Sequence, residues 1–263
     1  MRTTDPRRRR HRHWRRAVAA LITAAAVAAG CGPQNQEETD PVDIEQEVPA
    51  ADTTTRPPTA PASTTAATIP EFLDDVLGLV HGYWSETFAA AGLDAPTVGH
   101  VWIAPGEQLE TACGPVTDQA AAYCPADDTM YIGQQFAFDL WSGTTPSNGS
   151  AVAIGDFGLA EVVAHEYGHN VQHELGIDDT EGGPVKPVEL QADCLAGLWA
   201  NSAYRARLLE PGDVEEALAT ILSVGDFKYN DPQHHGTPEE RRTAWLAGYE
   251  SGDPSRCARA AQA

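Results

Sequence analysis

Residues 165 to 169 read His-Glu-Tyr-Gly-His, a spacing that suits the binding of a metal ion. Positions i and i+4 lie on the same face of a helix, so His165 and His169 can each offer a ring nitrogen to one ion. Zinc takes imidazole ligands at about 2.0–2.1 Å. Glu166 follows the first histidine, where its carboxylate can accept a proton from a water molecule on the metal. The pattern therefore predicts a zinc site with hydrolytic chemistry.

The segment around this motif predicts the helix that the two histidines require. In residues 158–175 (GLAEVVAHEYGHNVQHEL) apolar side chains recur at helical spacing, and Gly176 is placed to end the helix. Gly168 costs about 1 kcal/mol in a helix interior, which predicts that a metal site or a packed neighbour approaches the helix closely there. A surface helix with two solvated histidines is the alternative, and the apolar stripe argues against it.

A catalytic zinc needs three protein ligands and one open position for water. Residues 187–201 (PVELQADCLAGLWAN) predict a second helix, on which Glu189 and Asp193 share one face with small residues. Its other face is apolar, so the helix is expected to be buried, and buried carboxylates need partners. The candidates for the third ligand are Glu189, Asp193, His173, His234 and His235.

Three runs in the order HEYGHNVQ, ELQADC and HGTPEERR resemble the neutral zinc metallopeptidase family of bacteria. The segments TACG (111–114) and AYCPADDTMYIG (122–133) are similar to the cysteine-bearing region of that family, and the likeness covers residues 70–257. The resemblance implies an enzyme that hydrolyses peptide bonds of a polypeptide substrate with one zinc ion (Zn2+) per chain. We expect an endopeptidase rather than an exopeptidase.

Position by position, the resemblance assigns the zinc ligands and the base. It implies that zinc is bound by His165, His169 and Glu189, with Glu166 as the catalytic base. Glu189 would come from a Glu-x-x-x-Asp helix, as in the gluzincin arrangement. Asp193 would orient a ligand histidine through its other ring nitrogen.

Two further side chains are candidates for contact with a substrate. His235, in the HGTP segment, can donate a hydrogen bond to the oxyanion that forms during peptide hydrolysis. Equally, it can serve only to order the loop before the last helix. Tyr131 lies in a predicted strand whose edge could pair with an extended peptide, or it is a core aromatic residue.

The N-terminus predicts export. Eight of the 17 basic residues lie within the first sixteen positions, and the following residues 17–29 (AVAALITAAAVAA) are apolar but shorter than the roughly twenty residues that span a bilayer. This order is typical of a secretory signal peptide, here residues 1–30. Cys31 resembles the cysteine of a bacterial lipobox, although Ala28 replaces the usual leucine. We therefore expect a lipid anchor on Cys31 at the outer face of the bacterial cell membrane, with secretion as the alternative.

Four cysteines follow this region, and an even number in an exported chain predicts two disulfides with three possible pairings. The family resemblance favours Cys113–Cys124 and Cys194–Cys257. The second of these would tie the ligand helix to the C-terminal segment. A cysteine metal site is disfavoured because no C-x-x-C spacing exists.

Charge and composition limit the kind of partner and indicate the bounds of the folded domain. Without residues 1–30 the chain carries 9 basic and 37 acidic residues, a net charge of about −28, which argues against nucleic acid as a partner. Residues 31–69 are rich in Pro, Thr, Ala and acidic residues and predict a disordered tether. The folded metallopeptidase domain would then cover residues 70–263.

The remaining patterns predict an α+β domain, predominantly helical, with a small β-sheet beside the active-site helix; the family resemblance implies that this domain is zincin-like. Apolar residues recur every four positions from Phe72 to Phe88 and indicate a helix. Residues 99–104 and 129–133 indicate strands. Capping boxes predict the starts of two more helices, at Asp213 with Glu216 and at Thr237 with Glu240.

Two other functions remain compatible with the sequence. A non-catalytic, zinc-stabilised binding domain at the cell envelope would have no use for a base, and the intact Glu166 argues against it. Zinc-dependent hydrolysis of a non-peptide amide is the weaker option.

Overall fold

The computed structural model describes residues 68–144, 155–177, 184–229 and 231–260. In this part of the chain seven helices and five short strands are present, so the predicted α+β class with predominant helix is confirmed. The helices are α1 (Ile69–Ala90), α2 (Gln134–Trp141), α3 (Phe157–Leu175), α4 (Lys186–Arg205), α5 (Asp213–Val224), α6 (Pro238–Ser251) and α7 (Pro254–Ala260). The strands are β1 (Gly99–Ile103), β2 (Gln108–Thr111), β3 (Gly114–Thr117), β4 (Ala121–Cys124) and β5 (Thr129–Gly133).

Several N-terminal predictions lie outside the described residues. They are the signal peptide (residues 1–30), Cys31 and the tether, of which only Thr68 and Ile69 belong to the described part, where Thr68 caps α1. Among the helices of the described residues, none combines the length and the apolar character that crossing a bilayer requires.

A three-stranded sheet with the order β1-β5-β4 lies beside α3, through contacts with β4. Its central strand β5 is parallel to β1 and antiparallel to β4, and β2 and β3 form a separate hairpin. Tyr131 is therefore a buried core residue of the central strand. The strand that provides a sheet edge next to α3 is β4, not β5.

The helices α3 and α4 run through the hydrophobic core and pack closely against each other. A Cβ atom at Gly168 would lie 3.1 Å from the carbonyl oxygen of Ala192, so this glycine serves the close approach of a neighbouring helix. On its other side, α4 packs against α6, where a Cβ atom at Gly248 would lie only 2.1 Å from the carbonyl oxygen of Cys194. The second ligand helix is therefore held between α3 and α6.

Local caps define the ends of the helices around the candidate site. The capping box of Thr237 and Glu240 at the start of α6 is confirmed. Gly176 ends α3 in the left-handed conformation, with a φ of 64°, because glycine adopts this conformation without a steric penalty.

The prediction of a capping box formed by Asp213 and Glu216 is wrong. Gly212 is the N-cap residue of α5, and the carboxylate of Asp213 accepts a hydrogen bond from the backbone N–H of Glu210 instead. The carboxylate of Glu216 accepts a hydrogen bond of 3.0 Å from the backbone N–H of Phe157. Glu216 therefore caps the start of α3, a contact between distant segments that local sequence does not reveal.

Two disulfides are formed. Cys113–Cys124 joins the β2–β3 turn to the end of β4, and Cys194–Cys257 joins α4 to α7. This is the pairing that the family resemblance favours. Because Cys194 directly follows Asp193, the second disulfide fastens the C-terminal helix close to the candidate site.

Candidate metal centre

The two histidines of the H-E-x-x-H motif direct their ring nitrogens at one carboxylate. His165 and His169 lie one turn apart on α3, and Glu189 lies in the first turn of α4. The Nε2 atom of His165 is 3.3 Å from one carboxylate oxygen of Glu189, and the Nε2 atom of His169 is 3.5 Å from the other. The ligand atoms of the three residues lie within 4.8 Å of one another, so a single ion could contact all three.

The other ligand candidates occupy different positions. Asp193 lies behind His165 and contacts its Nδ1 atom at 2.9 Å. His173 lies one turn further along α3 and does not belong to the cluster. His234 and His235 lie on the loop before α6 and do not belong to it either. Within the described residues, Glu189 is therefore the candidate that completes the set.

This donor set fits zinc. In both histidines the Nδ1 atom has a partner outside the cluster: Asp193 for His165, and the side-chain oxygen of Gln172, at 2.9 Å, for His169. Each imidazole can therefore offer its Nε2 atom as the ligand when a metal ion binds. Two imidazoles and one carboxylate with a remaining open position are the protein ligands of a known type of catalytic zinc site.

A buried arginine from α6 balances the charge behind the cluster. Arg241 donates hydrogen bonds of 2.8 Å to both carboxylate oxygens of Asp193, and its Nη2 atom is 3.8 Å from Glu189. Burial raises the pKa of Asp193, but the charge and the hydrogen bonds of Arg241 outweigh burial and lower it. Asp193 therefore stays ionised and can accept a hydrogen bond from His165.

A third carboxyl group, Glu161, is buried one turn before His165 on α3. It accepts a hydrogen bond of 2.7 Å from the indole N–H of Trp245. Burial raises the pKa of Glu161 to about 8, although the hydrogen bond from Trp245 opposes this shift. At neutral pH Glu161 is therefore mostly protonated and uncharged, so it does not compete with Asp193 for the positive charge of Arg241.

The cluster faces an open cleft with a volume of about 410 Å³. Glu166 lines this cleft beside the two histidines, and residues 121–123 of β4 line it as well. Val162 and Ile221 contribute apolar surface, and His235 also contacts the cleft. The candidate ligands, the candidate base and His235 therefore share one space.

Asp226 holds the loop that carries His235. Its carboxylate accepts a hydrogen bond of 3.1 Å from the backbone N–H of His235 and contacts the ring Nδ1 atom at 3.3 Å. Its other oxygen contacts the Nδ1 atom of the buried His234. Burial raises the pKa of Asp226, but hydrogen bonds from the backbone of Lys228 and from the two histidines outweigh burial and lower it. Asp226 thus fixes the loop position of His235, which lines the cleft.

A helical pair of histidines, a glutamate from the following helix and an adjacent sheet edge form the candidate metal centre. The family described as "Putative neutral zinc metallopeptidase" matches residues 18–259 of the chain. The chain belongs to this family, as its sequence motifs predicted.

The chain is also similar to proteins from two bacterial species. It is 36% identical over 156 residues to the uncharacterized protein YpfJ of Escherichia coli (strain K12), an alignment that covers 51% of this chain and 52% of that protein. It is 35% identical over 178 residues to the uncharacterized protein Rv2575 of Mycobacterium tuberculosis (strain ATCC 25618 / H37Rv), which covers 57% and 58% respectively. The chain thus spans little more than half the length of these curated relatives. No solved structure matches the chain.

Sequence reasoning missed three side chains of this site. Glu161, Gln172 and Arg241 are all buried close to the candidate ligands. Helical spacing could have found the first two, which lie four residues before His165 and three residues after His169. Arg241 lies in the HGTPEERR run that carries the family resemblance, but nothing in that run indicates a partner on α4.

Proposed function

We propose that the protein hydrolyses peptide bonds in polypeptides, with one zinc ion per chain bound by His165, His169 and Glu189. The convergence of both Nε2 atoms on the Glu189 carboxylate, in a cleft that Glu166 also lines, is the observation that carries this proposal. Zinc, when bound, lowers the pKa of a water ligand toward about 7 and polarises the substrate carbonyl.

Glu166 is the general base of the proposed reaction. It follows His165 directly in the sequence and lines the cleft beside it. Its carboxylate accepts a proton from the attacking water and delivers this proton to the leaving amine as the peptide C–N bond breaks.

His235 is proposed to stabilise the oxyanion. When its ring is protonated, the Nδ1–H group donates to Asp226 and the Nε2–H group is left to donate to the substrate oxygen. The contacts of Asp226 with the backbone and ring of His235 support this role because they hold the ring at the cleft.

Strand β4 supports a polypeptide as the substrate. It lines the cleft and is hydrogen-bonded to a single neighbour, β5, within the described sheet. An extended peptide can add to such an edge through backbone hydrogen bonds. Because a strand edge can bind chain on both sides of the cleaved bond, we propose an endopeptidase.

The alternative of a non-catalytic, zinc-stabilised binding domain has less support. A structural zinc site is closed by four protein ligands. Among the residues that the structure describes, the set has three members, and it faces an open cleft that Glu166 lines.

We further propose that the protein is exported and anchored through a lipid on Cys31. The two disulfides support export, because such bonds persist in oxidising compartments outside the cytoplasm. The lipid anchor is supported by the sequence around Cys31 alone, and secretion without an anchor is the alternative.

The test compares wild type with Glu166→Gln and with the control Glu86→Gln, which changes an exposed glutamate of α1. We expect Glu166→Gln to bind zinc as wild type does but to cleave a mixed peptide pool at least about 100-fold more slowly. Glu86→Gln should cleave normally, and a chelator should abolish cleavage by wild type. An unchanged rate in Glu166→Gln would contradict the assignment of the base. Cleavage that survives the chelator would contradict a zinc peptidase.

A further inference from the structure

A chain of buried side-chain amides begins beside the ligand candidate His169. Its Nδ1 atom is 2.9 Å from the side-chain oxygen of Gln172, which is fully buried. The side-chain nitrogen of Gln172 donates to the carbonyl oxygen of Val188 at 2.8 Å and to the side-chain oxygen of Gln191 at 3.0 Å. The side-chain nitrogen of Gln191 in turn donates to the carbonyl oxygen of Cys257 at 3.3 Å.

The backbone carbonyls that accept from this hydrogen-bond chain determine the orientation of its two side-chain amides. A backbone carbonyl only accepts hydrogen bonds, so Val188 and Cys257 must each receive a side-chain amide nitrogen. The side-chain oxygen of Gln172 is therefore the atom that faces His169, and only a donor can pair with it. His169 must carry a proton on Nδ1, so Nε2, the atom that faces Glu189, is the ring nitrogen that can bind a metal ion.

We propose that Gln172 is a positioning residue that holds His169 in the tautomer able to bind a metal, with Gln191 and the Cys257 carbonyl setting the orientation of the Gln172 amide. This inference rests on the proposed zinc site. Because Cys257 is bonded to Cys194 on α4, the carbonyl that ends the chain is fastened to the same helix that carries Gln191.

A purely structural role for Gln172 would give a different experimental pattern. Its hydrogen bond to Val188 also joins α3 to the first turn of α4. If Gln172 served only this contact, its replacement would lower the stability of the fold, and zinc affinity would fall only in proportion to that loss. The two roles can be separated by measuring zinc affinity and stability on the same variants.

Two variants of Gln172 test separately the acceptor oxygen and the donor nitrogen of its side-chain amide. Gln172→Met has a similar volume but no acceptor for the Nδ1–H group of His169. Gln172→Glu keeps an acceptor and loses the donor side of the chain. Gln134→Met is the matched control, because it removes one hydrogen bond to a backbone carbonyl, that of Trp102, away from the cleft. Zinc affinity of each full-length protein is measured by competition with a chromogenic chelator, and stability of the metal-free form by denaturant unfolding.

We expect Gln172→Met to weaken zinc binding about 10- to 100-fold. The zinc affinities of Gln172→Glu and Gln134→Met should stay within about threefold of the wild-type affinity. Gln172→Glu should nevertheless be the less stable of the two Gln172 variants, because it buries a carboxylate. Wild-type affinity in Gln172→Met, or an equal loss of affinity in Gln172→Glu, would overturn the inference. Wild-type protein that binds no zinc would overturn the proposed function together with it.

A second measurement reads the tautomer directly. In the metal-free wild type at pH 8, nitrogen NMR of the imidazoles should find the proton of His169 on Nδ1. A His169 ring without a proton on Nδ1 in wild type would overturn the inference even if the zinc affinities followed the expected order.

Discussion

His165 and His169 lie four residues apart and face the same carboxylate, yet the protein holds them in different ways. Behind His165 is a buried pair of charges, Asp193 and Arg241, with hydrogen bonds of 2.8 Å between them. Behind His169 is a chain of neutral amides that begins at Gln172 and ends at a backbone carbonyl. The two imidazoles therefore receive their orientation from charge in one case and from donor and acceptor geometry in the other.

Because of this difference, we expect substitutions behind the two histidines to affect different properties of the protein. Removal of one member of a buried ion pair leaves an unpaired charge, which is strongly unfavourable in a low-dielectric interior. Loss of a neutral amide leaves an unsatisfied dipole, which costs less. We therefore expect damage behind His165 to appear mainly as lost stability, and damage behind His169 mainly as lost zinc affinity.

The largest effect is expected from Arg241→Met, which removes both hydrogen bonds and the positive charge that Arg241 provides to the buried Asp193. This variant should lose about 3–5 kcal/mol of unfolding free energy in the metal-free state. The double variant Asp193→Asn with Arg241→Met removes both charges and should be more stable than Arg241→Met alone. Denaturant unfolding in the presence of a chelator measures all three proteins. Equal stability of the single and double variants would show that the unpaired carboxylate is not the cause.

The next effect concerns the disulfide that fastens the end of the amide chain. Its cysteines are separated by 63 residues, whereas those of Cys113–Cys124 are separated by 11. Closing the longer loop restricts the unfolded chain more. The double variant Cys194→Ala with Cys257→Ala should therefore lose about 4 kcal/mol of unfolding free energy, and the double variant Cys113→Ala with Cys124→Ala about 3 kcal/mol.

Zinc affinity should separate these two double variants more clearly than stability does. Only the first releases the Cys257 carbonyl that orients Gln191, so only that variant should bind zinc more weakly than wild type. Equal zinc affinities of the two double variants would argue that the amide chain does not depend on the disulfide.

The smallest effect is a pH dependence on the charged side of the site. Burial raises the pKa of Glu161 to about 8 from an ordinary value of 4.5. Between these values the folded state keeps a proton that the unfolded state has lost, so stability falls as the pH rises. Burial lowers the pKa of His165, but its contacts with Asp193 and Glu189 outweigh burial and raise the pKa from 6.5 to about 10. His165 therefore loses its own stabilising contribution only as the pH rises above 6.5.

Burial also raises the pKa values of Asp213 and Glu216, so the contribution of Glu161 to stability between pH 4.5 and 6.5 is obtained by comparing the metal-free wild type with a variant that does not titrate at position 161. We expect a decrease of about 2 kcal/mol across this range. Glu161→Gln keeps an acceptor for the indole N–H of Trp245 and does not titrate, so its stability should change less. Unfolding curves that give the same slope for both proteins would contradict a buried acid at this position.

The parts of the site that could be predicted from the sequence are those set by helical periodicity. His165 and His169 share a face because they are four residues apart, and the ELQAD helix places Glu189 on the face it shares with Asp193. Thr237 and Glu240 form their capping box because every atom involved lies within one turn. Each of these relations is local, and a local relation is visible in the order of residues.

The remainder depends on contacts between distant segments. Glu216 caps α3 across 59 residues rather than its own helix. Gln172 is linked to the Cys257 carbonyl through Gln191, and a disulfide fastens α7 to α4. Strands β2, β3 and β4 have four residues each, too few for a clear alternation of polar and apolar side chains. Their pairing is determined by packing, which the order of residues does not show.

X-ray absorption at the zinc edge, on protein loaded with one equivalent of zinc, tests the central claim most directly. Two imidazole nitrogens and carboxylate or water oxygens at about 2.0–2.1 Å are expected. Glu189→Ala should weaken zinc binding while both imidazoles remain ligands. A sulfur ligand at about 2.3 Å, or a spectrum with fewer than two imidazoles in wild type, would contradict the site formed by His165, His169 and Glu189.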